Sequence, residues 1–256
     1  MLIAALILVA ALVLFFVLKK PGAGNVKNPE LPKHMTSLLN EHISFYRKLD
    51  QEEKIKFEQK VSNFIGKVNI EGVGTEIEDV DRILVAASAI IPIFKFGNWE
   101  YRNLTSVTLY PDTFNQDFQF EGEDRSVLGV VGTGFMHRQM ILSKNALTEG
   151  FRIDSDARNT AIHEFVHLLD MADGDADGVP ELLLDSACFS PWIKAIQKEM
   201  KRIEKGNSDI DPYALTNDAE FLAVVSEYFF EKPEKMKRRY PELYSFADRM
   251  YNKGVG

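Results

Sequence analysis

Cysteine is all but missing from these 256 residues. Cys188 stands alone, so no disulfide can close within the chain and no metal site can be built from several thiolates. Histidine is also scarce, with five residues, and tryptophan has two. No block of like charge runs long enough to form an interaction tail. The net charge of -8 and the absence of clustered Lys and Arg argue against general nucleic-acid binding, which draws its affinity from phosphate contacts. What is present is ordinary globular material. Hydrophobic residues make up 45% and charged residues 27%, enough for a sizeable core in one large domain or two small ones. The 18 phenylalanines read as core packing.

The N-terminus stands apart. Residues 1–18 are apolar throughout, and Lys19, Lys20 and Lys27 follow. A helix of that length spans roughly 27 Å, just enough for a hydrocarbon core. Signal peptides carry positive charge before a shorter apolar stretch, and here no charge precedes the run. Residues 1–20 therefore read as a single-pass membrane anchor and 21–34 as a Pro/Gly/Asn-rich linker. The lysines on the C-terminal side place the remaining 35–256 in the cytoplasm. The small residues Gly22-Ala23-Gly24 keep open the other reading, a cleaved signal and export to the periplasm.

Beyond the linker, residues 36–66 show helical spacing of apolar side chains, and 82–94 are apolar almost all round, a buried helix ending near Pro92. Strands are expected at 106–114, 126–132 and 138–144. Further helices fit 158–172, 185–205, 217–231 and 233–252, the first capped by Asn159 or Thr160 and stopped near Gly174. The expected fold is α+β, mainly helical, with a small sheet ahead of the 158–172 helix.

That helix carries His163-Glu164-Phe165-Val166-His167. Residues i and i+4 share a helix face, so both imidazoles can reach one metal ion. Glu164 lies about 100° round from His163, beside the metal and placed to move a proton in hydrolysis. Ile162, Phe165, Val166, Leu168 and Leu169 make the helix largely buried, where two histidines and two acids are costly unless engaged. Asp170 lies near the same face, placed to orient a ligand or simply to end the helix.

Two histidines leave tetrahedral zinc short of a ligand, and no third histidine follows at the spacing HExxHxxGxxH. The helix at 217–231 offers Glu220 and Glu227, two turns apart on one face. Asn217-x-x-Glu220 also fits a capping box, and spacing alone does not choose between the roles. Asp173, Asp175 and Asp177-Gly178 match half of a calcium loop, but Leu184 stands at the twelfth position, so the stretch reads as a polar turn. His137, His34 and His42 fall outside any ligand spacing.

Four stretches, HEFVHLLD, DPYALTNDAEFLAVVSEYFFEKP, GNWEYRN and LYPDTF, together resemble the Mlc titration factor A family over roughly residues 35–250. The resemblance implies a zincin-like, gluzincin-type peptidase with a core related to anthrax lethal factor and one zinc ion per chain. It implies His163, His167 and Glu220 as ligands, Glu164 as general base and Tyr213 as a second catalytic residue. Glu227 then becomes a supporting carboxylate or the reserve ligand. In zincins the strand before the motif helix lines extended substrate, which points to Met140, Ile141, Leu142 and Ser143 offering edge backbone groups. The implied substrate is a peptide or protein, with aminopeptidase-like cleavage. The same resemblance implies a second class of function, sequestration of a transcriptional repressor by binding.

Overall fold

Val107 and Leu109 alternate with less buried neighbours, the period of a strand, while Met140 to Ser143 are buried without a break, as suits a strand covered on both faces. The computed structural model describes residues 31–132, 137–153 and 155–252. The expected anchor at 1–20 and most of the linker at 21–34 lie outside them. No described helix is long and apolar enough to cross a membrane.

Four strands form one sheet in the order β1-β2-β4-β3: β1 (Asn69–Gly72), β2 (Ser106–Tyr110), β3 (Gly129–Val131) and β4 (Gln139–Ser143). β1, β2 and β4 run parallel, with Val107 opposite Ile70 and Met140, and β3 closes the sheet antiparallel to β4. The fold is α+β and mostly helical, as expected, with differences of detail. β1 was not anticipated, since NIEG is short and only Ile70 is buried. β2 stops at Tyr110 because Pro111 supplies no N–H to the ladder.

The single helix expected at 36–66 is three: α1 (Met35–His42), α2 (Ser44–Arg47) and α3 (Gln51–Lys67). Asp50 starts α3 with a reciprocal cap, its side chain accepting from Glu53 N–H. The rest are α4 (Asp79–Ile93), α5 (Lys144–Arg152), α6 (Thr160–Asp170), α7 (Ser186–Glu204), a 3-10 turn (Pro212–Leu215), α8 (Asp218–Glu231), α9 (Pro233–Arg239) and α10 (Pro241–Asn252). α5 is an addition, capped by Ser143, whose hydroxyl accepts from Ala146 N–H. Pro241 divides the helix expected over 233–252 by starting a new one.

α6 occupies the middle. It packs on α4, α5 and α8 and against β3 and β4. The main core runs through it, with Ile162, Phe165, Val166, Leu168 and Leu169 buried. A smaller aromatic core of Tyr110, Phe114 and Ile141 covers the other face of the sheet.

Candidate metal centre

Asn159 starts α6, its side chain accepting from Ile162 N–H at 3.1 Å. His163 and His167 then lie one turn apart, and their Nε2 atoms approach to 3.1 Å. Asn217 starts α8 in the same way, accepting from Glu220 N–H at 2.9 Å. The cap is one-sided: the Glu220 carboxylate turns to the histidines instead, 2.8 Å from His163 Nε2 and 3.4 Å from His167 Nε2. The three donor atoms lie within 4.8 Å of one another, and among the described residues this is the one such cluster of three metal-ligating side chains.

Glu227, two turns further along α8, stands behind the cluster. One oxygen lies 2.7 Å from His163 Nδ1 and the other accepts from Asn159 N–H. With Nδ1–H held on a carboxylate, Nε2 is the ring nitrogen that faces the cluster, where a metal can take the place of its proton. Glu231, one turn on again, accepts from the N–H groups of Ala157 and Arg158 at 2.7 and 3.3 Å. One face of α8 thus grips both α6 and the chain leading into it.

The electrostatics favour positive charge at the meeting point. Burial alone would lower the pKa of His163, but hydrogen bonds to Glu220 and Glu227 outweigh it and hold the imidazolium up to about 10. Burial would raise Glu220, yet its bonds to His163 and His167 bring it down to about 2. Two ring nitrogens and one carboxylate oxygen, converging where a cation is stabilised, are a fitting donor set for a divalent metal.

Glu164 is buried beside the cluster, and burial pushes its carboxyl up. Gly129 of β3 comes close to it. A Cβ at that position would fall 2.8 Å from Glu164 Cγ and 2.9 Å from Oε1, so glycine there lets the carboxylate stay where it is. Sequence reasoning missed Gly129, because nothing in GVV marks a residue 35 positions upstream of its neighbour.

β4 is not the edge expected for Met140, Ile141, Leu142 and Ser143. It lies between β2 and β3, so both rows of its backbone groups are engaged. The edge is β3. Leu128 and Gly132 bond to β4 on either side of it, so the alternate residues Gly129 and Val131 turn their N–H and C=O outward.

Tyr213 sits on the 3-10 turn with its ring 5.9 Å from that of His163. The side chain is exposed, but partial desolvation and the Glu220 and Glu164 carboxylates raise its hydroxyl above the usual range. Asp211 fixes the turn by accepting from Tyr213 N–H, and Arg158, next to the α6 cap, pairs with Asp211 at 2.7 Å. Asp170 does not orient a histidine. Its Oδ2 accepts from Gly178 N–H at 2.8 Å, holding the turn that follows α6. The aspartates of that turn serve its own backbone, Asp173 accepting from Asp175 and Glu181 and Asp177 from Val179. His137 is exposed, and His34 and His42 lie in the N-terminal helical part.

A family model described as glucose-regulated metallo-peptidase M90 matches residues 18–252. The chain belongs to the M90 metallopeptidase family. An uncharacterized protein of Synechocystis sp. is 29% identical over 234 residues, 86% of this chain and 84% of its own length. Mlc titration factor A of Pectobacterium atrosepticum is 29% identical over 189 residues, 68% of this chain and 69% of its own. The protein of the same name from Salmonella arizonae is 32% identical over 186 residues, 70% and 74% of the two chains. The resemblance read from the four sequence stretches is therefore borne out, and membership of a metallopeptidase family suits the His163, His167 and Glu220 cluster.

Proposed function

We propose that this M90 protein hydrolyses peptide bonds with one zinc ion held by His163, His167 and Glu220. The convergence of these three side chains beside a buried, glycine-walled Glu164 carries the reading. Zinc bound there would polarise the scissile carbonyl and activate water as the nucleophile. Glu164 takes the proton of the attacking water on its carboxylate and returns it to the leaving nitrogen. Glu227 keeps His163 in the tautomer that binds metal through Nε2. Tyr213 donates its hydroxyl proton toward the oxygen on which negative charge develops. The outward backbone groups of Gly129 and Val131 receive the substrate main chain as an added strand.

Glu164→Gln tests the assignment. Zinc content should hold, since the carboxylate is not a ligand, while cleavage of a peptide library should fall by about 10²–10⁴-fold. Full activity in that variant, or a wild-type protein with neither zinc nor cleavage, would overturn it.

A second reading comes from the relatives named Mlc titration factor A. It makes the chain a binding protein for a transcriptional repressor, with cleavage secondary. Repressor capture by Glu164→Gln, with peptidase activity lost, would separate the two functions. As to place, residues 1–20 are proposed to anchor the chain in the inner membrane with the catalytic domain in the cytoplasm. Protease added to intact spheroplasts should leave that domain whole. Its digestion, or a mature N-terminus near Asn25, would move the enzyme to the periplasm.

A further inference from the structure

Phe165 lies about 200° round α6 from His163 and from His167, on the helix face turned away from the metal cluster. Two rings meet it there: Phe64 of α3 at 5.7 Å and Tyr101 at 5.2 Å between centroids. Both rings also line a half-open pocket of about 620 Å³, bordered by α3, the end of α4 and residues 95–101. That is within the range of about 300–1,000 Å³ typical of small-molecule sites. No metal-centre residue lines it, and part of its wall is Gly97 to Tyr101 of the GNWEYRN stretch, which the peptidase reading leaves without a role.

The lining has two chemical halves. Phe64, Phe94, Trp99 and Tyr101 supply aromatic surface, with Trp99 and Tyr101 set edge to face at 4.9 Å. Four lysines and two glutamates supply charge, an excess of positive charge in an acidic protein. Three of the lysines already have carboxylates. Lys67 pairs with Glu100 at 2.5 Å, Lys95 with Glu53 at 2.5 Å and Lys56 with Glu52 at 2.7 Å. Lys60 differs: its ammonium donates to the Gly97 carbonyl, and among the described residues it forms no ion pair, although Glu100 stands near enough to act on its charge. It is half-buried, and desolvation lowers its pKa. An anion reaching Lys60 would supply the charge partner that its neighbours possess.

We propose that this pocket binds an aromatic molecule carrying one carboxylate, its ring against Phe94, Trp99 and Tyr101 and its carboxylate on Lys60. One lysine without an ion pair specifies a monoanion, and the aromatic walls specify a flat apolar body. A free aromatic acid and the C-terminal aromatic residue of a peptide share this chemistry. The site does not depend on the peptidase reading and stands or falls separately from it.

The test is calorimetric titration of the full chain in detergent with 2-naphthoate and with the neutral 2-naphthylmethanol. Saturable 1:1 binding of the acid, at least about tenfold tighter than the alcohol, is expected. Lys60→Gln should erase that preference, Lys60→Arg should keep it, and Trp99→Ala should weaken both ligands. Gly-Gly-Phe with a free carboxyl, set against its amide, separates the two sources. Competition by the free acid alone identifies a peptide C-terminus, and no competition identifies a small aromatic acid. Equal binding of acid and alcohol, a preference that survives Lys60→Gln, or no saturable binding of 2-naphthoate would overturn the proposal.

Discussion

The two ends of α8 carry the same side chain on the same face and treat it in opposite ways. At the N-terminal end Glu220 is held as a carboxylate, its pKa brought down to about 2 by two histidines despite partial burial. At the C-terminal end burial pushes Glu231 up to about 8, even though two backbone N–H groups reach one oxygen. Its other oxygen is buried and has no hydrogen-bond partner among the described residues. Glu227 stands between them, one oxygen on a ligand imidazole and the other on backbone. Residue type therefore does not decide function along this helix; the partners do. Where the partners are imidazoles, charge is kept and directed at a point. Where they are peptide groups, the carboxyl fastens the chain.

Removing the charge at the N-terminal end should have the largest effect. Glu220→Gln replaces a ligand carboxylate with a neutral amide, so zinc content should fall from near one ion per chain to near none. Glu227→Gln should keep measurable zinc with affinity lowered by about 10–100-fold, the usual cost of losing a residue that orients a ligand. Metal analysis of both variants ranks them, and a reversed order would make Glu227 the ligand and break the comparison.

The opposite wall of the cleft gives a smaller effect. Gly129→Ala should displace the Glu164 carboxylate and lower kcat by about 10–100-fold, since small misplacement of a catalytic group is expensive. Zinc content and KM should change little. The added Cβ would also meet Leu142 at 2.9 Å. If pairing with Leu142→Val restores kcat, the conflict lies with Leu142 and Glu164 is not what Gly129 positions.

The C-terminal end touches neither metal nor turnover and reads out as stability. The folded-state pKa of Glu231, about 8, lies above its ordinary value of 4.5. Its contribution is therefore fully present below about pH 4.5 and disappears as pH rises through 8. Across that window one such group tilts stability by up to about 1.4 kcal/mol per pH unit. Urea midpoints at several pH values should fall less steeply toward pH 8 in Glu231→Gln than in the wild type. Parallel curves would mean that Glu231 is charged at both ends of the window, removing the contrast with Glu220.

Much of the site was legible because its parts are local. A spacing of four residues puts His163 and His167 on one face wherever a helix forms. Asn159 and Asn217, read as starts of helices, do cap α6 and α8. The pattern also exposed Glu220 and Glu227 as a pair. It could not say which one meets both histidines, because that depends on how two helices 57 residues apart in sequence rotate against each other. Asp170 shows the same limit from the other side. Its position one turn after His167 suggested a ligand partner, and the chain folds back eight residues later to offer Gly178 N–H instead.

Sequence by itself determined the helices that carry the chemistry, the caps that start two of them and the residue types able to hold a metal. These follow from neighbours within about one or two helical turns, where backbone geometry leaves few choices. Tertiary structure decided that Glu220 reaches the histidines while Glu227 backs them. It also decided that β3 rather than β4 is the free edge, and that Gly129 makes room for Glu164. Each of those outcomes is a contact between segments distant along the chain. Strand order and helix rotation are set by which apolar faces pack together, and no residue in β3 or β4 announces which strand will lie at the edge.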